Sequence, residues 1–173
     1  MISSADFQKL TTLIFDLDGT LTDGRIGWDG AGNAVKFFDI RDLHWIKLAL
    51  RAGLTVGVLS GRNDAANDRL AAETGLSFMR TGVKNKADGF AELLRDRKLT
   101  AAECLYAGDD VVDMPALRRA GIGVAVADAV PELDEVADWR TRAAGGRGAA
   151  AEIIRKVLGE KRLLDQIMER YRK

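Results

Sequence analysis

The sequence has one cysteine, one histidine and no excess charge of either sign. Cys104 stands alone, so the chain has no internal disulfide open to it, and its place in an apolar, strand-like run fits a reducing cytoplasm. Lys plus Arg and Asp plus Glu both number 26, a formal net charge of zero, without the basic bias that marks a nucleic-acid binder. Apolar runs are short: none approaches the roughly 18 consecutive residues of a spanning helix. The opening MISSADFQKL also lacks the apolar core of a signal peptide. The expectation is a cytoplasmic protein that engages neither nucleic acid nor membrane. No internal repeat, low-complexity tract or Pro/Gly-rich linker divides the chain, and the absence of a GxxxxGK[ST] loop argues against ATP held in the P-loop manner.

What is present is organised around Leu13 to Gly24, LIFDLDGTLTDG. The apolar residues before Asp16 read as a buried strand, and Gly19 turns the chain away. Asp16 and Asp18 therefore fall at the C-terminal edge of a sheet, the edge where open parallel α/β sheets bind ligands. Neighbouring carboxylates repel unless a cation lies between them or one is protonated, and that suits one Asp to attack while the other handles a proton. A polar turn after a strand would look the same, so only the residues further on separate the two readings.

With 47% hydrophobic and 30% charged residues, the 173-residue chain reads as one soluble domain spanning 1–173. After the first strand, residues 25–39 carry a β-hairpin signal, two short apolar runs flanking the glycine-rich DGAGN. Helical spacing covers Arg41 to Ala52, Asn63 to Thr74, Asn85 to Lys98 and Asp110 to Ala120; strands are expected at Leu54 to Leu59, Leu76 to Met79, Glu103 to Ala107, Ile122 to Ala127 and Ala137 to Thr141. Residues 159–173 predict a C-terminal helix with Leu163, Leu164, Ile167, Met168 and Tyr171 on one face, docked on its own domain or a neighbour. Alternating strands and helices predict an α/β fold, a doubly wound, mostly parallel sheet with helices on both faces.

On that scaffold three strands end in polar residues: Asp16 and Asp18; Ser60 and Arg62; Asp109, Asp110 and Asp113, with Lys86 opening a helix between the last two sets. If those strands are neighbours, the side chains converge on one crevice. Carboxylates, a hydroxyl, a Lys and an Arg together describe a site for a divalent cation and a phosphoryl group. Mg2+ prefers hard oxygen ligands and keeps waters and a phosphate oxygen, so few protein contacts suffice; Asp16 and Asp109 are the expected side-chain ligands. Phosphoryl transfer spreads negative charge that Mg2+, Lys86 and the Ser60 hydroxyl can stabilise.

FDLDGTLTDG, Ser60, Lys86 and GDDVVD match, in order, the four motifs of the haloacid dehalogenase superfamily of phosphatases, which the chain resembles. The resemblance implies Asp16 as nucleophile and Asp18 as general acid/base, with Ser60 and Lys86 holding the phosphoryl group. It places Mg2+ on Asp16, Asp109 and the Asp18 backbone carbonyl, with Asp113 and Asp110 in support. SGR at Ser60 to Arg62, AVADA at Ala125 to Ala129 and AGGRGA at Ala144 to Ala149 resemble more narrowly the 3-deoxy-manno-octulosonate-8-phosphate phosphatase group, over roughly residues 11 to 158. That group implies a capless homotetramer assembled through its hairpins, a sugar-acid phosphate substrate and a place in lipopolysaccharide biosynthesis, with Arg62 and Arg147 as substrate contacts. The spacing supports the absence of a cap independently: neither Gly19 to Thr55 nor Arg62 to Lys86 leaves room to insert a domain of about 50 residues.

The chain departs from the group where Asp42 is kept but Leu43-His44-Trp45 replaces a glycine pair, and where Ala149 to Ala151 stand in place of a further arginine. Asp42 and His44 are thus candidate substrate contacts, Trp45 alternatively helix core and His44 a half-exposed polar residue. Alternatives are the same chemistry on another sugar acid, such as a nine-carbon ulosonate phosphate, or a catalytically silent oligomerisation module of the same fold.

Overall fold

A computed structural model describes residues 2–173. Helix α1 (Ser4–Lys9) leads into strand β1 (Thr12–Phe15), a hairpin of β2 (Gly27–Trp28) and β3 (Ala34–Val35), helix α2 (Ile40–Arg51) and strand β4 (Thr55–Leu59). There follow α3 (Ala65–Thr74), β5 (Phe78–Arg80), α4 (Lys86–Arg97), β6 (Cys104–Gly108), α5 (Met114–Arg119), β7 (Ile122–Ala125), β8 (Trp139–Arg140), α6 (Ala149–Glu160) and α7 (Leu164–Met168). Six strands form one parallel sheet in the order β5-β4-β1-β6-β7-β8. The chain leaves β1 toward β4 and β5, then returns to β6 on the other side, so the order reverses beside β1. The crevice at such a reversal is where open α/β sheets hold ligands.

Strand alternation divides the core. Leu13, Phe15, Val56, Val58, Leu105 and Ala107 pack with α1, α2 and α6 on one face. Ile14, Leu59, Cys104 and Tyr106 pack with Phe90 and Leu93 of α4 and Ala116 and Leu117 of α5 on the other. The hairpin and the segment leading from it into α2 carry exposed apolar side chains, with Trp28, Phe37 and Ile40 between 68% and 79% exposed.

Two boundaries differ from expectation by more than two residues. Residues 159–173 are not one helix: α6 already occupies 149–160, and a turn with Arg162 in the left-handed region (φ 58) separates it from α7. Leu163, Leu164, Ile167 and Met168 do dock on the chain's own core. The helix expected from Asp110 opens instead as a 3-10 turn over Val111–Asp113, and α5 begins only at Met114.

Candidate active site

The site is built where β1, β4 and β6 end side by side. Asp16 continues β1, its N–H donating to Ala107 O of β6 at 2.8 Å. Beyond it the chain coils tightly: Leu21 and Thr22 both donate to Leu17 O at 3.0 Å, and Gly19 takes φ +95. A side chain at Gly19 would collide with the Asp109 carboxylate, so glycine is required there both for the turn and for Asp109 to approach. Thr20 then donates its hydroxyl to Asp109 Oδ1 at 3.0 Å. A similar close approach fixes AGGRGA, where a Cβ on Gly145 would strike Gly19 O; Gly146 N–H donates to Thr20 O at 3.0 Å, and Gly145 N–H to Asp128 of AVADA at 2.8 Å.

Lys86 is the first residue of α4, whose start is capped by Asn85 Oδ1 accepting from Ala87 and Asp88 N–H. Its ammonium is buried, paired with Asp16 Oδ1 and, at 3.0 Å, with Asp113 Oδ1, and it donates to Leu59 O at 2.6 Å. It also donates to the Tyr106 hydroxyl at 3.0 Å, which in turn donates to Asp113 Oδ1 at 2.7 Å. Asp113 Oδ2 accepts from the backbone N–H of Asp109 at 3.1 Å, bracing the loop after β6.

Asp16, Asp109 and Asp113 each offer an oxygen within 4.8 Å of the others. One lysine cannot balance three carboxylates, two of them buried and Asp109 partly so. Burial and then the charge of Asp113 push Asp16 up to about 7 despite Lys86; burial, Asp16 and Asp113 push Asp109 up to about 8. Lys86 is itself held above the usual lysine range: burial opposes its charge, but Asp16 and Asp113 outweigh it. An all-oxygen donor set short of positive charge is what a hard divalent cation completes.

Asp16, Asp18, Ser60, Arg62, Lys86 and Asp110 meet around one cavity of about 250 Å3, with Val83, Lys84 and Val112 at its sides. Ser60 is buried and Arg62 half exposed. Asp109 and Asp113 sit behind it, and Asp113 belongs to the acidic trio as well as bracing Lys86. Three expected contacts lie outside this cavity. Asp42 is fully buried, its two oxygens accepting from Gly148 N–H at 3.0 Å and Ala151 N–H at 2.7 Å, so it caps α6 and is not presented to a ligand. His44 faces outward, its Nε2 3.2 Å from the Tyr171 hydroxyl. Arg147 lies 3.5 Å from Asp23 on a separate depression shared with Phe37, Asp39 and Arg41. Leu43 and Trp45 pack on the core, so none of the large residues in the Leu43-His44-Trp45 run lines the cavity.

Several residues of the site had not been singled out from sequence. Tyr106 carried a readable signal, a tyrosine in a wholly apolar strand two residues from its polar end, where a buried hydroxyl needs a partner. Lys36 is the other, with its side chain buried against Asp18; Thr20 completes the set.

Comparison with known proteins agrees with this geometry. Residues 44–121 match the haloacid dehalogenase-like hydrolase family model. The 3-deoxy-D-manno-octulosonate 8-phosphate phosphatase of Escherichia coli is 36% identical over 162 residues, covering 94% of this chain and 86% of that protein. The chain belongs to this phosphatase family of the haloacid dehalogenase-like hydrolases. Among solved structures, the Moraxella catarrhalis member, in complex with magnesium, phosphate and KDO, superposes with a TM-score of 0.93 at 27% identity, covering 97% of each chain. The cobalt-bound Haemophilus influenzae member gives 0.87 at 33% identity, covering 92% of this chain and 93% of its own. Among the described residues no helix is long and apolar enough to cross a membrane.

Proposed function

We propose that the chain is a Mg2+-dependent phosphomonoesterase that hydrolyses 3-deoxy-manno-octulosonate 8-phosphate through an aspartyl phosphate on Asp16. The observation that carries this reading is the buried Asp16–Lys86–Asp113 ion set beside Asp109, opening on a cavity that Asp18, Ser60 and Arg62 also line. Lys86 occupies Asp16 Oδ1, leaving Oδ2 to attack phosphorus in line. As that P–O bond forms, the bond to the sugar oxygen breaks and Asp18 delivers a proton to the departing oxygen. Lys86 and the Ser60 hydroxyl hold the equatorial phosphoryl oxygens, whose charge grows in the transition state. Water then attacks phosphorus, Asp18 takes its proton, and phosphate leaves with Asp16 restored. Asp16 and Asp109, with the Asp18 carbonyl and with Asp113 close behind, would hold Mg2+, which would supply positive charge that keeps the carboxylates ionised and draws electrons from the phosphoryl group.

Arg62, charged and half exposed at the cavity, suits the sugar carboxylate by paired hydrogen bonds. The large residues at 43–45 lie away from the cavity, so they do not argue against the octulosonate as substrate. Trp28, Val35, Phe37 and Ile40 are exposed apolar side chains in and just after the hairpin, surface of the kind a closed homotetramer would bury, and Phe37 shares a depression with Arg147. Such an assembly, working in the cytoplasm and supplying lipopolysaccharide biosynthesis, completes the reading. Phosphate release from sugar-acid and neutral-sugar phosphates, with Mg2+ or EDTA and with Asp16→Asn as control, tests it. Selective Mg2+-dependent turnover of the octulosonate phosphate is expected, with none by Asp16→Asn; turnover of neutral sugars alone would refute the substrate. A light-scattering mass near four times 18.8 kDa tests the assembly.

A further inference from the structure

One buried cation has no part in the chemistry above. Lys36 follows β3, and its side chain is wholly buried although Val35 and Phe37 on either side point outward. Its ammonium lies 2.8 Å and 3.0 Å from the two oxygens of Asp18, 2.9 Å from Asp64 Oδ2 and 3.2 Å from Asn67 Oδ1. It therefore joins the hairpin, the loop carrying Asp18 and the start of α3. Asp64 occupies the N-cap position of α3 but makes no side-chain cap bond; its carboxylate faces Lys36 and, at 3.5 Å, Arg62. Asn67 Nδ2 donates to Arg62 O at 3.2 Å, which turns Asn67 Oδ1 toward the lysine.

Burying an ammonium is costly unless every partner is in place, and apolar side chains would fasten a hairpin at lower cost. Two such side chains adjoin Lys36 and point away. The second cation near Asp18, Arg62, is 4.0 Å from it and half in solvent, so it can leave for a substrate while Lys36 cannot. Lys36 donates hydrogen bonds to Asp18 Oδ2 and Asn67 Oδ1, whereas Asp18 Oδ1, though 2.8 Å away, accepts none, so that oxygen can turn to another partner without Lys36 losing its own. We infer that Lys36 is a positioning residue for Asp18, fixing that carboxyl group at the cavity wall so that, carrying its proton, it meets the leaving oxygen while Arg62 is engaged elsewhere. The inference rests on the phosphomonoesterase reading, in which Asp18 protonates that oxygen.

The test compares two leaving groups. kcat/KM reports the steps up to the first irreversible one, departure of the leaving group. Proton donation matters for a basic alkyl oxygen and little for p-nitrophenolate. Acid assistance is worth about 10²–10⁴-fold, so displacing Asp18 in Lys36→Met should cost about tenfold or more in kcat/KM on octulosonate 8-phosphate and under about threefold on p-nitrophenyl phosphate. Asp18→Asn should show the same asymmetry, larger, and Lys36→Arg should recover part of the loss. Equal losses on both substrates, or none on either, would overturn the inference and leave Lys36 a structural fastener. If melting curves show Lys36→Met unfolded, Lys36→Met/Asp64→Asn, which removes one charge of each sign, carries the same comparison with the same outcomes. Asymmetry absent from Asp18→Asn itself would remove the role of Asp18, and wild-type inactivity on both phosphates would remove the phosphatase reading; either overturns the inference together with what it rests on.

Discussion

Two lysines are buried against carboxylates at the same sheet edge, and they come from opposite kinds of structure. Lys86 opens a twelve-residue helix whose N-cap and core residues fix its backbone independently of the ion pairs it makes. Lys36 follows a two-residue strand of an exposed hairpin, so its own contacts with Asp18, Asp64 and Asn67 are much of what fixes it. In the proposed reaction the first would serve Asp16 and the phosphoryl group, the second Asp18 and the leaving group. A rigid element can carry a catalytic cation by itself, whereas a short one must be held by the charges it serves.

The sharpest way to break this distinction is Lys86→Met. It leaves Asp16, Asp109 and Asp113 with no lysine between them, at a cost of about 3–5 kcal/mol in stability. Hydrolysis should fall on the order of 10²–10³-fold, and equally for alkyl and aryl phosphates, since Lys86 touches the phosphoryl side alone. A loss confined to alkyl phosphates would show that the two lysines act on the same step.

Next in size is the pH dependence of the metal-free protein. Asp16 and Asp109 are raised to about 7 and about 8, above the ordinary carboxylate value of 3.8. Between those limits the folded state holds protons that the unfolded state has lost, so stability falls as pH rises through the window and the loss is complete above it. With EDTA, Tm should drop on the order of 5 °C from pH 5 to pH 8.5, and Mg2+ should restore most of it at the upper end and little at the lower. A Tm flat with pH would mean that Lys86 alone neutralises the trio. Tyr106→Phe is the milder probe of the same set: it removes one bond to Lys86 and one to Asp113, for about 1–3 kcal/mol in denaturant unfolding and a smaller loss of turnover than Lys86→Met.

Much of this was legible because the signals are local. Apolar runs stopping at Asp16, Ser60 and Gly108 gave the strands, and their polar ends gave the site. What was missed depends on distant partners. Ala149 to Ala151, Ile153, Ile154, Val157 and Leu158 have helical spacing, yet the start of α6 has no local cap: Gly148 is in the left-handed region, and the acceptor is Asp42, 106 residues earlier. The split of the C-terminal segment turns on Arg162 in the left-handed region, where no glycine announces it. Lys36 points inward only because Val35 and Phe37 point out, the reverse of the usual amphipathic strand. Asp113 is an expected support of Lys86 and does pair with it; what the sequence does not show is the 3-10 turn after β6 that folds it back, where a regular helix from Asp110 was expected.

A third buried acid, Asp42, has no lysine and completes the comparison from the other side. Its charge is met by two backbone N–H groups of the α6 start, a helix terminus that favours an anion. Burial still raises its carboxyl above the ordinary range in spite of both bonds, as it raises Asp16 in spite of Lys86. Asp42→Asn keeps one acceptor oxygen and turns an amide NH2 toward the other N–H. The expected cost is about 1–2 kcal/mol in denaturant unfolding, the smallest effect of the series. KM for octulosonate 8-phosphate should not change, because the side chain reaches α6 and not the cavity. A KM raised about tenfold at unchanged stability would instead assign Asp42 about 1.4 kcal/mol of substrate binding, and with it a contact that this fold gives to a helix end.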